Sequence, residues 1–104
     1  CKDGIFGGTE NDDIGGGSDQ DVLNGDDNAD YVYGGAQDDL LAGNFGRDRL
    51  FDAETGDVDW LRGGKNDDYL VDGRDGDGND DVDGGEGTDN CEWNSGDTHP
   101  NCET

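Results

Sequence analysis

The sequence predicts an all-β solenoid, a stack of short strands in which each strand belongs to one copy of a repeat. Three observations carry that prediction. The chain runs on a nine-residue period; one position of the period is always Asp and the position two further on is always apolar or Cys; and the composition cannot fill a conventional core. Only 27% of the 104 residues are apolar, where a globule of this size holds about 45–50%. Asp and Glu number 29 against 6 Lys and Arg, a net charge of −23, with 21 Gly and a single Pro. High charge with little apolar content also describes disordered chains. The regular placement of Leu, Ile and Val and the aromatic content of 8% argue against that reading here.

The copies follow one another in order. Residues 1–6 are the tail of a first copy, with Asp3 and Ile5 at the sixth and eighth positions. Then come 7–15 (GGTENDDIG, Asp12 and Ile14), 16–24 (GGSDQDVLN, Asp21 and Leu23) and 25–33 (GDDNADYVY, Asp30 and Val32). They continue with 34–42 (GGAQDDLLA, Asp39 and Leu41) and 43–51 (GNFGRDRLF, Asp48 and Leu50). A longer copy with two extra residues is aligned by Asp59 and Leu61; 63–71 (GGKNDDYLV) brings Asp68 and Leu70. A second long copy, with three extra residues, is aligned by Asp80 and Val82, and 84–92 (GGEGTDNCE) ends the series with Asp89 and Cys91. Ten sixth positions are thus all Asp in a chain where 29 of 104 residues are acidic. Random placement does not produce that.

Glycine turns the backbone through positive φ at little cost, so Gly-Gly-x-Gly reads as a tight turn and the last three residues of each copy as a strand. Side chains alternate along a strand; the eighth position then points inward and the seventh and ninth outward. One such strand cannot bury its apolar residue alone, whereas stacked copies share a narrow core. The fourth position is Gly only at Gly46, Gly78 and Gly87; elsewhere it is Glu10, Asp19, Asn28, Gln37, Asp57 or Asn66. Asn and Asp tolerate a left-handed backbone, while Glu10 and Gln37 fit it less well.

This pattern resembles the RTX nonapeptide family, G-G-x-G-x-D-x-U-x with U a large apolar residue, over about residues 3–92. The resemblance implies a parallel β-roll, a right-handed solenoid of about five 18-residue coils in which each copy stacks on the second copy after it. Two columns of carboxylates follow: Asp3, Asp21, Asp39, Asp59, Asp80 and Asp12, Asp30, Asp48, Asp68, Asp89. Like charges about 4.8 Å apart oppose folding and raise one another's pKa. A hard dication resolves that conflict. Ca²⁺ takes roughly six to eight oxygens from carboxylates and carbonyls, and Mg²⁺ suits such turns less because it holds its waters. Ten turns stacked in this way offer at most eight slots, and distortion near the insertions leaves an expectation of about four to seven Ca²⁺ ions. Asp75, Asp77, Asn79, Asp81, Asp83 and Glu86 also fall at EF-hand loop spacings. Asp80 occupies the place that wants Gly and no helical period flanks the run, so an additional or modified Ca²⁺ site on an acidic loop competes with a solvated loop.

The repeat occupies residues 1–92 and a tail at 93–104 breaks it. A Cys91–Cys102 bridge would tie that tail over the open end of the solenoid, with Trp93 as a plug; solenoids need such caps. A metal cluster of cysteines with His99 is the alternative, although the spacing is not that of a zinc finger. The ending resembles tails of Gram-positive members of the family, where a paired Cys and a final Cys-Glu recur. A disulfide and a Ca²⁺ requirement both fit an extracellular, secreted or cell-surface setting. Cys1 is left over: a lipid-modified first residue, an intermolecular disulfide, or the start of a fragment. The chain begins with Cys1 rather than Met and reads as a processed product or a piece of something longer.

Charge and hydropathy exclude several partners. A phosphate backbone or an anionic membrane surface is repelled, and no apolar run approaches the roughly 20 residues that span a bilayer. One His and no nucleophile–base constellation argue against an enzyme. Outward columns are expected at Val22, Leu40 and Trp60 on one sheet, and at Tyr31, Tyr69, Tyr33, Phe51 and Val71 on the other. They serve either contact or strand propensity. The functional expectation is an extracellular Ca²⁺-binding structural module that folds on binding the ion, self-associating end to end or laterally into a layer or filament. The alternative is the repeat domain of a larger secreted protease, lipase, toxin or adhesin.

Overall fold

The computed structural model describes residues 1–52, 58–72, 80–93, 98 and 101–102. Every described element is a strand: β1 (Gly4–Gly8), β2 (Asp13–Ser18), β3 (Val22–Asp27), β4 (Tyr31–Ala36), β5 (Leu40–Phe45), β6 (Arg49–Asp52), β7 (Trp60–Lys65), β8 (Tyr69–Asp72), β9 (Asp81–Glu86) and β10 (Asn90–Glu92). Odd strands form one five-stranded sheet, β1-β3-β5-β7-β9, and even strands the other, β2-β4-β6-β8-β10. All pairings are parallel. The architecture is the expected β-roll of five coils, 34 × 34 × 13 Å in extent.

Register follows the apolar eighth positions. Ile5, Leu23, Leu41, Leu61 and Val82 are successive partners in one sheet. Ile14, Val32, Leu50, Leu70 and Cys91 are partners in the other. All but Ile5 are buried, and together they are the core of the described residues. A one-residue slip would turn this line to solvent, so both insertions are absorbed without a change of face.

The strands differ from the expectation in length. The Gly-Gly-x segment stays hydrogen-bonded as part of the strand, so a full strand covers positions seven to three of the next copy, while its second residue takes the expected positive φ, at Gly8, Gly17, Gly35, Gly64 and Gly85 and also at Asp26 and Asn44. Alternation then points the first Gly of each copy inward. It must be Gly because the interior Asp lies against it: a Cβ on Gly43 would fall 2.2 Å from Asp48 Oδ2 and 2.7 Å from the Gly63 carbonyl. The fourth position does take a left-handed backbone. Asn28 (φ 77°), Asn66 (φ 80°) and also Gln37 (φ 80°) adopt it, while Glu10 does not.

The two rims of the roll are unequal. Every turn leading from an odd to an even strand is short and carries one of Asp12, Asp30, Asp48, Asp68 or Asp89. The opposite rim carries Asp3, Asp21, Asp39, Asp59 and Asp80, and both insertions, before β7 and before β9, lie on it. The tail closes the last coil. A disulfide joins Cys91 to Cys102, Thr98 pairs with Asp81, and the Val82 N–H donates to the Thr98 carbonyl at 2.8 Å. Cys102, packed on the core, is the plug; Trp93, expected there, is 36% exposed. With both cysteines consumed, a Cys–His99 metal cluster is excluded, and His99 itself lies outside the described residues.

Candidate metal centre

In the first four coils each sixth-position Asp is fastened to the next coil twice. Its carbonyl accepts from the residue after the next coil's Asp, as in Leu40 N–H to Asp21 O at 3.0 Å. Its N–H donates to the Oδ1 of that Asp. The chain of donors runs Asp3 to Asp21, Asp21 to Asp39, Asp39 to Asp59 and Asp59 to Asp80, at 2.7–2.8 Å. On the other rim it runs Asp12 to Asp30, Asp30 to Asp48, Asp48 to Asp68 and Asp68 to Asp89, at 2.8–2.9 Å. The two columns read from the sequence are therefore brought together as columns. Asp21, Asp30, Asp39, Asp48, Asp59, Asp68, Asp80 and Asp89 are buried, while Asp3 and Asp12 in the first coil are not fully covered.

One oxygen of each buried carboxylate in the ladder is thus committed to the backbone. The second is where a cation fits. Oδ2 of Asp12, Asp21, Asp30, Asp48 and Asp68 is shielded from solvent and accepts no hydrogen bond. A buried charge without a partner is costly. Carbonyls of the neighbouring coil lie close by: Asp48 Oδ2 and the Gly63 carbonyl both border the space a Gly43 Cβ would fill. Carboxylates together with carbonyls are the donor set that Ca²⁺ takes.

The electrostatics agree. Burial pushes Asp48 up to about 6, with Asp30 beside it adding repulsion. Burial takes Asp68 up to about 7 and Asp59 to about 8, where Asp52, Asp80 and Asp39 contribute repulsion. Asp30 is raised for the same reason. A dication among these groups would reverse the shifts by favouring the charged form.

Two buried carboxylates are not foreseen by the repeat. Asp52 and Asp72 are 1% and 5% exposed and are register partners on β6 and β8. They occupy first positions, where every other copy has Gly, and they do so in the only two copies that carry insertions. That coincidence is the signal the sequence offers for them. Asp39, Asp52 and Asp59 present carboxylate oxygens that all lie within 4.8 Å of one another. Of the EF-hand-like run, Asp75, Asp77 and Asn79 lie outside the described residues. Asp81, Asp83 and Glu86 belong to strand β9 rather than to a loop, and Asn101 binds Asp83 Oδ1 at 2.9 Å.

Comparison with known proteins agrees with this geometry. Residues 3–23 and 15–50 match the family described as RTX calcium-binding nonapeptide repeat (4 copies). The match ends just short of half the chain, and the same Asp columns, core line and strand pairing continue through the coils beyond it. No curated protein and no solved structure matches. The part of the β-roll up to residue 50 is thus similar to calcium-binding nonapeptide repeats.

Proposed function

We propose that the chain is an extracellular module whose fold is built around Ca²⁺, with the ions held between successive turns of each rim by Asp12, Asp21, Asp30, Asp39, Asp48, Asp59, Asp68, Asp80 and Asp89, and by Asp3 at the open end. The observation that carries this reading is the pair of buried Asp columns in which Oδ1 braces the neighbouring coil while Oδ2 of Asp21, Asp30, Asp48 and Asp68 accepts no hydrogen bond. The ion supplies positive charge among the buried carboxylates; the chain supplies spacing, through the Oδ1 ladder, and desolvation, through the core line beside it. Where Ca²⁺ is scarce, repulsion among 29 acidic residues keeps the chain extended, and binding the ion then provides the folding energy. The family's frequent occurrence in secreted proteins and the Cys91–Cys102 bridge support an oxidising, calcium-rich setting. Circular dichroism of the oxidised chain during a Ca²⁺ titration tests this, with Mg²⁺ as control. A cooperative coil-to-β transition with Ca²⁺ alone is expected, and a β-signal indifferent to chelation overturns the reading.

Self-association is the finer part of the proposal. Phe6, Val22, Phe45 and Trp60 are exposed on the odd sheet and Tyr31 and Tyr33 on the even one, where Tyr31 stacks on Phe51 at 5.2 Å. These faces support lateral contact. The edges of β1 and β2 offer a place on which a second copy could stack, which also supports self-association; the second reading is a repeat domain within a larger secreted protein. Sedimentation with saturating Ca²⁺ separates the two: assembly supports the first, a discrete monomer the second. Exposed Cys1 makes a reducing control necessary, since an intermolecular disulfide would mimic assembly.

A further inference from the structure

We propose that the odd sheet carries a binding trough for a neutral oligosaccharide chain, with Val22, Leu40 and Trp60 along one side and Gln20 and Asp38 along the other. The function it adds is distinct from holding ions.

Two neighbouring rows of side chains frame it. Val22, Leu40 and Trp60 hold seventh positions and are register partners on β3, β5 and β7; Gly4, the partner of Val22 on β1, adds no side chain. Gln20 and Asp38 hold fifth positions, two residues earlier, as does Lys2. These residues line a concavity of about 710 Å³, within the range of small-molecule clefts. Three strand steps make it about 14 Å long, and two residues of strand set its rows about 7 Å apart. One side is apolar and accessible: Val22 is 47% and Trp60 39% exposed. The other is polar and already ordered. Gln20 Nε2 donates to Asp38 Oδ2 at 3.1 Å, and the Val58 N–H donates to Asp38 Oδ1 at 3.0 Å. Side chains held in this way lose little freedom when a ligand binds.

These walls select the ligand. An indole beside two aliphatic side chains suits a flat apolar face, and a carboxylate beside an amide suits groups that both donate and accept. A pyranose ring offers both, C–H bonds on its faces and hydroxyls around its edge. Charge sets the neutrality. The net charge of −23 and Asp38 repel an anionic ligand, while Lys2 and Arg62, at the two ends of the trough, disfavour a cationic one. Shape turns other partners away. A helix is about 10–12 Å across and does not enter between rows about 7 Å apart. A peptide strand adds to a sheet edge, whereas this trough crosses the strands and is walled by side chains. The flat face of a second copy would span the trough without filling it.

The test titrates the oxidised chain, in saturating Ca²⁺, with cellohexaose, maltohexaose and chitohexaose, and with hexagalacturonate as the anionic control. Trp93→Phe leaves Trp60 as the sole indole, so its emission reports the trough directly; calorimetry gives the affinities of Trp60→Ala and Gln20→Ala. A saturable change in Trp60 emission with at least one neutral chain, and none with the anionic one, is expected. Trp60→Ala is expected to bind about tenfold more weakly, for the loss of one aromatic contact, and Gln20→Ala about threefold to tenfold, for one hydrogen bond. Both variants are expected to keep the wild-type β-signal, because neither side chain belongs to the core. No response to any neutral chain overturns the proposal, and so does equal or tighter binding of the anionic one. Sugar binding unchanged in Trp60→Ala also overturns it; if sedimentation of that variant changes instead, the face belongs to a second copy.

Discussion

The backbone N–H of Asp39 donates to Oδ1 of Asp59 at 2.8 Å, across an insertion that lengthens the coil. The bond has the same length as that from Asp21 to Asp39 in a coil of regular size. The extra residues leave the ladder intact, so carboxylate spacing along the rim is set by the strands and not by the turns.

That bond separates the two roles of each Asp. Asp48→Asn retains an amide oxygen to accept from the Asp30 N–H but removes the charge. The metal-free roll is expected to gain stability and the Ca²⁺-loaded roll to lose it, seen as a higher Ca²⁺ midpoint in a circular dichroism titration. Asp48→Ala removes acceptor and ligand together. It is expected to destabilise even the metal-free state by about 1–3 kcal/mol, the cost of an orphaned buried donor.

The pH dependence of the metal-free chain has a defined sign. In the fold Asp48, Asp68 and Asp59 sit at about 6, about 7 and about 8, against an ordinary 3.8. The folded chain therefore holds more protons than the unfolded one between those limits. Its stability is full below the ordinary value and is lost as pH rises through 6 to 8. Dialysed, metal-free protein is expected to show more β-signal at acid pH than at pH 8, and Ca²⁺ added at the higher pH is expected to restore it. An apo β-signal that grows with pH contradicts the burial of these groups.

Gly43→Ala is expected to be destabilising by about 1–3 kcal/mol, the usual range for overpacking, because its Cβ meets Asp48 Oδ2 at 2.2 Å. Gly15→Ala has nothing within 4 Å of the added carbon and is expected to be nearly neutral. Thermal melts of the two in Ca²⁺ provide the comparison.

Reducing the Cys91–Cys102 bridge frees the tail that covers Val82 and Cys91. For a loop of 11 residues the loss is about 3 kcal/mol in the loop-entropy view. Cys102→Ser is expected to raise the Ca²⁺ midpoint and to speed amide exchange in β9 and β10 more than in β3 and β5. Uniform acceleration throughout would show that the tail does not act as a local cap.

Most of this architecture is legible in the sequence because two periods coincide, the recurrence of Asp and that of the apolar residue two places later. Leu23, Leu41 and Leu61 fall in one line on spacing alone, since each follows its Asp at the same interval. Where sequence and fold part company, glycine is the usual cause. Gly-Gly reads equally as turn or as strand, and only the packed interior shows that Gly43 is small to admit Asp48. Gln37 adopts a left-handed backbone against its own preference because its neighbours in the stack require the turn. Asp52 and Asp72 carry a weak signal because insertions blur the register where they stand. Hydropathy favours Trp93 as a plug, yet the smaller Cys102, held by its bond, fills that end.

The separation of the two rims has a consequence for how the molecule responds to its surroundings. Strands of six residues put the rims about 20 Å apart, more than twice the screening distance of about 8 Å in physiological salt. Neighbours within a rim are only about 4.8 Å apart. Electrostatically the protein is two one-dimensional lattices bolted back to back, each strongly coupled along its length and nearly deaf to the other. They differ in composition, since one lattice has Asp52 and Asp72 and the other has only glycine at the matching places. A charge removed from one edge is therefore felt along that edge far more than across the molecule.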